Sequence, residues 1–173
     1  MIKNYILFIS FLFFQSAFSQ EALNVFDVAR RGTLDQAKAL YKQDPKIFNT
    51  VNDAGYSPLI LACYRGNNEV AKFLIETGSD VNGTSSMGTP LMAAIVKGNS
   101  EISELLINKK ADVNIADANG TTALMYAIQF KNAPLTKLLL DNKADKTKLD
   151  KTGKTAFEYA VFSNNQEIIN LLK

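Results

Sequence analysis

The sequence contains no histidine and no tryptophan, and only one cysteine, Cys63, in 173 residues. Without imidazole the chain lacks the side chain best suited to proton transfer near neutral pH and the commonest metal ligand. A Ser-His-Asp or Cys-His arrangement cannot be assembled, nor any His-ligated zinc site. A single cysteine rules out an intramolecular disulfide and any cysteine pair for metal or redox work. Nine glycines are present, yet none forms a phosphate-cradling loop after a strand. Neither sign of charge dominates: 19 Lys and Arg stand against 17 Asp and Glu, so bulk electrostatics name no nucleic-acid partner. Carboxylate or lysine chemistry stays formally open, but no constellation for it is visible. The expectation is a protein without catalytic residues, metal ligands or cofactors.

What remains is the composition of a folded chain, 47% hydrophobic and 21% charged. A chain of this size buries roughly 68–70% of its unfolded surface, enough to fold without metal or disulfide.

Residues 1–19 have the parts of a signal peptide: a charge at Lys3, an apolar run from Tyr5 to Phe14, and a small-residue exit at Ala17-Phe18-Ser19 before Gln20. The apolar core is about ten residues, against roughly 20 for a membrane-spanning helix. A buried helix is the alternative, but the segment lacks the polar positions such a helix would show. No cysteine near the junction offers a lipid attachment point. The expected mature chain, residues 20–173, is periplasmic or secreted, has no stable membrane anchor, and carries 18 basic against 17 acidic residues. In an oxidising compartment a lone thiol needs protection, and Cys63, beside Ala62 on a core-facing position, is expected to be buried.

From Ser57 the chain repeats. Ser57-Pro58-Leu59, Thr89-Pro90-Leu91, Thr122-Ala123-Leu124 and Thr155-Ala156-Phe157 recur at intervals of 32 or 33 residues. Each is followed by an alanine (Ala62, Ala94, Ala127, Ala160) and then by Gly66, Gly98, Lys131 or Asn164. Ser or Thr caps a helix and proline suits its first turn, so a short helix starts at each motif. A second helix follows, as in Glu69 to Ile75, where apolar residues fall at helical spacing. Turn sequences such as Lys110-Ala111-Asp112-Val113-Asn114 close the unit.

These units resemble ankyrin repeats, whose pattern is D-x-x-G-x-T-P-L-H-x-A-A-x-x-G-H, a leucine-rich helix, then G-A-D-V-N. Asn119 to Leu124 and Ala111 to Asn114 are among the closest segments. The resemblance implies an all-α solenoid of helix-turn-helix units with finger loops, about five repeats including two caps. Their approximate bounds are 21–53, 54–86, 87–118, 119–151 and 152–173. The family's histidines are replaced by Ile60, Met92, Met125 and Glu158, and by Asn67, Asn99, Asn132 and Asn165, so their hydrogen bonds must be made differently. Met87 stands where a finger glycine is expected, and the loop before it is one residue short, so the finger from Thr84 to Gly88 should be tight or irregular. Asp117, Asp145 and Asp150 match loop aspartates that cap their own turns.

The resemblance also implies a concave binding face built from finger loops and first helices. The variable pairs before the inter-helix turn are Arg30-Arg31, Tyr64-Arg65, Val96-Lys97, Gln129-Phe130 and Phe162-Ser163. Arg31, Tyr56, Tyr64, Arg65, Lys97, Gln129, Phe130 and Phe162 are the candidate partner-binding residues, of types that dominate interface energetics. The alternative is that the aromatics tuck into neighbouring repeats while the charges only solvate the surface. The expected role is that of an exported interaction module, monomeric alone, that binds another protein as accessory or scaffold. An inhibitor or immunity protein against a toxin or enzyme is the alternative. Nucleic acid is not an expected partner.

Overall fold

The computed structural model describes residues 24–173, and the expected leader lies outside them. Ten helices form five pairs among the described residues. They are α1 (Val25–Arg31) with α2 (Leu34–Gln43), α3 (Pro58–Arg65) with α4 (Asn68–Glu76), and α5 (Pro90–Val96) with α6 (Ser100–Asn108). The last two pairs are α7 (Ala123–Gln129) with α8 (Ala133–Asp141), and α9 (Ala156–Ser163) with α10 (Gln166–Leu172). A 3-10 turn, Pro45–Asn49, links the first unit to the second. No described helix is long and apolar enough to cross a membrane.

The recurring Ser or Thr does what its chemistry dictates. Ser57, Thr89, Thr122 and Thr155 are the N-caps of α3, α5, α7 and α9, each accepting the backbone N–H three residues on. Pro58 and Pro90 occupy the first helical position, where a missing N–H costs nothing. From the second unit on, the first helices end on left-handed residues at equivalent places, Gly66, Gly98, Lys131 and Asn164, whereas Gly32 after α1 is extended.

Odd-numbered helices stack in one row and even-numbered helices in another. Ala62, Ala94, Ala127 and Ala160 are fully buried, and these small side chains let consecutive first helices approach closely. Leu59, Leu91 and Leu124 fill the space between units; Leu74, Leu106 and Leu139 do the same in the second row. Each unit covers the next, which makes the core continuous although no unit has one alone. Cys63 belongs to that core, 1% exposed, and burial pushes its thiol up to about 12. It is a packed thiol, as expected.

The asparagines standing for the second histidine cap the second helices. Asn99, Asn132 and Asn165 accept the N–H groups of Ile102, Leu135 and Ile168. Asn67 reaches back instead, donating from Nδ2 to the Gly32 carbonyl at 2.9 Å and so tying the second unit to the first. A second asparagine series joins the outer loops: Asn49, Asn82 and Asn114 accept from the N–H groups of Asp80, Asp112 and Asp145 in the next unit. In the last unit the outer surface of α9 is mixed. Glu158 is exposed and caps its own helix, while Phe157 and Val161, whose counterparts are buried in the inner units, are 42% and 51% exposed.

Candidate interaction site

Fingers project from the start of each first helix and are set by one polar side chain apiece. Asp117 Oδ1 accepts the N–H groups of Asn119 and Thr121 at 2.8 and 2.9 Å; Asp150 Oδ1 accepts those of Thr152 and Lys154 at 2.8 and 2.9 Å. Asn52 performs the same task for Ala54 and Tyr56. The second oxygen of each aspartate receives a tyrosine hydroxyl from the first helix: Tyr126 to Asp117 at 2.7 Å, Tyr159 to Asp150 at 2.6 Å. Neighbouring fingers are also linked, by Lys151 N–H to the Asn119 carbonyl at 2.9 Å. The finger loops are thus held on a rigid frame.

These bonds shift the groups that make them. The Tyr159 hydroxyl, helped by the Lys154 N–H and by Thr152, holds Asp150 well below the usual carboxylate range. Burial, reinforced by Asp117, pushes the Tyr126 phenol up to about 12. The Glu158 carboxyl is lowered by the Thr155 N–H and hydroxyl. Each shifted carboxylate is fully engaged in capping, and its perturbation has a structural cause.

The third finger departs from this plan. Counting back from the Thr89 cap places Met87 at the glycine position, but the structure corrects that register. Gly88 adopts the left-handed backbone (φ +92°), and Ser85 takes the place of the aspartate, with its backbone paired to Gly88 by two 3.0 Å bonds. The missing residue lies after the glycine, where the other fingers carry Tyr56, Thr121 and Lys154. The finger is tight, as expected, for a different local reason.

Beneath it lies a pocket of about 270 Å³. Fingers contribute Asn52, Ala54, Tyr56 and Met87; the first helices contribute Arg30, Ile60, Leu61, Tyr64, Arg65, Ala93, Val96 and Tyr126. Of the candidate residues, Tyr56, Tyr64 and Arg65 meet here, and Lys97 joins Tyr64, Arg65 and Val96 in an adjoining hollow. Gln129 and the 52% exposed Phe130 end α7 further along the stack. Phe162 is 72% exposed, with the Lys154 ammonium 5.2 Å from its ring centroid. Arg31 is not part of this cluster: it lies beside Asn24, Asp27 and Gln36, and Arg30 faces the pocket instead. Sequence reasoning also passed over Met87, Ala93 and Tyr126. Their signal was the 32-residue step, together with Ala93 standing where Tyr126 and Tyr159 stand in the next two units.

A family model described as "Ankyrin repeats (3 copies)" matches residues 25–117 and 111–173. The chain belongs to the ankyrin-repeat family. The ankyrin fold is an all-helical, non-enzymatic scaffold for protein–protein interaction, and the ten described helices agree with it. One similar protein is BTB/POZ domain-containing protein 3 of Schizosaccharomyces pombe, 39% identical over 61 residues. That stretch is 35% of this chain and 12% of that protein. Another is the DNA-binding protein RFXANK of Homo sapiens, 33% identical over 60 residues, 35% of this chain and 23% of that one. The chain spans less than a quarter of the length of either relative.

Proposed function

We propose that this ankyrin protein is exported and serves as an accessory or scaffold for another periplasmic or secreted protein, held on the face formed by fingers and first helices. The observation that carries the reading is the side-chain set on that face. Tyr64, Phe130 and Phe162 are all at least 40% exposed there, and Arg65 and Lys97 have no carboxylate partner among the described residues. Exposed aromatics and arginine on a rigid frame suit an interface better than a purely solvated surface. RFXANK is named as DNA-binding, but the formal net charge of this chain is only +2, and a protein partner is the better match. Export rests on the composition of residues 1–19.

The test has two readouts. The full chain, tagged at its C-terminus and produced in its native host, is recovered from envelope and cytosolic fractions and its mass measured. A chain shortened at its N-terminus and confined to the envelope supports export, whereas full-length chain in the cytosol refutes it. The captured proteins are then compared with those of a folded Tyr64→Ala, Phe130→Ala, Phe162→Ala variant. A protein held by the parent and lost by the variant supports the face; equal capture moves the interface elsewhere.

A further inference from the structure

Two departures coincide in the third unit. Where Leu61, Tyr126 and Tyr159 stand four residues after their caps, the third unit has Ala93; where the other fingers continue with Tyr56, Thr121 or Lys154, it has nothing. Removing a large side chain from the helix and a residue from the finger above the same stretch opens the pocket between Tyr56 and Tyr64 of the second unit and Tyr126 of the fourth. The fourth unit shows what fills such a place elsewhere, since its tyrosine bonds its own finger aspartate. In the third unit Ser85 replaces that aspartate and bonds its own loop.

The pocket is large enough for a ring: its volume of about 270 Å³ exceeds the roughly 150 Å³ of a cavity that holds benzene. Its walls are mainly aromatic and aliphatic, and its rim is cationic. Arg30 is answered by Asp27 at 3.1 Å, but Arg65 and the neighbouring Lys97 have no ion pair among the described residues. Arg65 lies 6.0 Å from the Tyr64 ring centroid, at the pocket wall. Asp117, the carboxylate bonded to the Tyr126 wall, is engaged by its own finger N–H groups. What complements this arrangement is an aromatic side chain next to carboxylates. We infer that the pocket is the anchor site for one aromatic side chain in an acidic, extended segment of the partner. The inference rests on the proposed binding face and names the chemistry that face selects.

The absence of tryptophan from the chain makes the test direct. A short acetylated peptide with a central Trp flanked by Glu and Asp is titrated into the full chain, and only the peptide's indole reports burial. The expected result is a blue-shifted emission, with a Lys- and Arg-flanked Trp peptide bound at least about tenfold more weakly. Ala93→Tyr, which installs the residue of the next two units, should weaken the acidic peptide about tenfold or more while thermal unfolding is unchanged. Inserting Thr after Gly88, which restores the regular finger, should do the same and serves if Ala93→Tyr does not fold. Equal binding of acidic and basic peptides overturns the charge assignment. Parent-like binding by both filled variants overturns the pocket. If no peptide binds, yet the parent still captures a partner that the triple alanine variant loses, this inference falls and the proposed face stands. If that capture fails as well, both fall.

Discussion

The Tyr126 hydroxyl donates to Asp117 Oδ2 at 2.7 Å, joining the middle of α7 to the finger that precedes it, and Tyr159 repeats the arrangement on Asp150 at 2.6 Å. Tyr126 is partly buried, and a phenol held against a carboxylate further resists ionisation, so its pKa rises to about 12. Because the folded value lies above the unfolded one of about 10, this contribution to stability is complete below about pH 10 and is lost as pH climbs towards 12. Tyr126→Phe should lower stability by roughly 1–2 kcal/mol at neutral pH. Thermal unfolding of parent and variant, followed from neutral to alkaline pH, should converge above pH 10. Parallel curves would show that the hydroxyl contributes no pH-dependent stability.

Asp150 has the opposite sign. Its carboxylate is held below the usual range by Tyr159 first, and then by Lys154 and Thr152, so its contribution is present above the unfolded pKa of about 3.9 and disappears as pH falls below it. Asp150→Asn keeps the turn-capping oxygen, as Asn52 does in the second finger, and removes only the charge. The variant is expected to be less stable than the parent at pH 7, with the deficit narrowing steadily as pH falls below about 4. A deficit that persists undiminished in acid would mean that the finger geometry, rather than the charge, had been lost.

Much of this architecture is legible in the amino-acid sequence. The Ser or Thr ahead of Pro or Ala announced the caps at Ser57, Thr89, Thr122 and Thr155, because capping is local chemistry that needs no tertiary knowledge. Burial of Cys63 followed from its place in the helix period. Arg30 and Arg31 were not separable in the same way. Their unit lacks the marker that fixes register elsewhere, Ser or Thr followed by Pro or Ala and then Leu or Phe, and one residue turns a helix by about 100°. The pocket was hidden for another reason: it is made by what Ala93 and the third finger do not supply, and an absence has meaning only once neighbouring units are superposed in space. The Met87 register also needed the backbone, since counting from the cap cannot tell on which side of a glycine a deletion falls.

Lys131 closes α7 in the left-handed region, with φ at 54°, where the second and third units use Gly66 and Gly98 at 74° and 75°. A Cβ in that conformation costs on the order of 1 kcal/mol. Glycine at 131 removes the strain and returns part of the gain as unfolded-chain entropy, so Lys131→Gly should stabilise by roughly 0.5 kcal/mol. The melting temperature should rise by about 1–2 °C. Lys131 is exposed, and no side-chain bond would be sacrificed among those described. A lowered melting temperature would indicate that the lysine does something at this turn beyond accepting the strain.

Gly88 combines a left-handed backbone with close approach, and the two effects can be separated by a neighbour that has only the first. Gly153 is the glycine of the fifth finger, with φ at +79°, and a Cβ there would meet open space. Gly153→Ala should therefore cost only the backbone term, about 1 kcal/mol. At Gly88 the same methyl would lie 2.1 Å from the Met92 sulfur and 3.3 Å from the Asp117 Cβ, in a site where Met92 is 1% exposed and cannot swing into solvent. Gly88→Ala should cost roughly 2–4 kcal/mol, the backbone term plus overpacking of the core. Met92→Ala also destabilises, by creating a cavity, but in the double variant the new methyl occupies part of the space vacated. Denaturant unfolding of the four proteins in the Gly88–Met92 cycle should accordingly show the double variant more stable than the sum of the single losses predicts. Strict additivity, with Gly88→Ala costing no more than Gly153→Ala, would mean that the short third finger is not braced against α5 and that the pocket beneath it lacks a fixed wall.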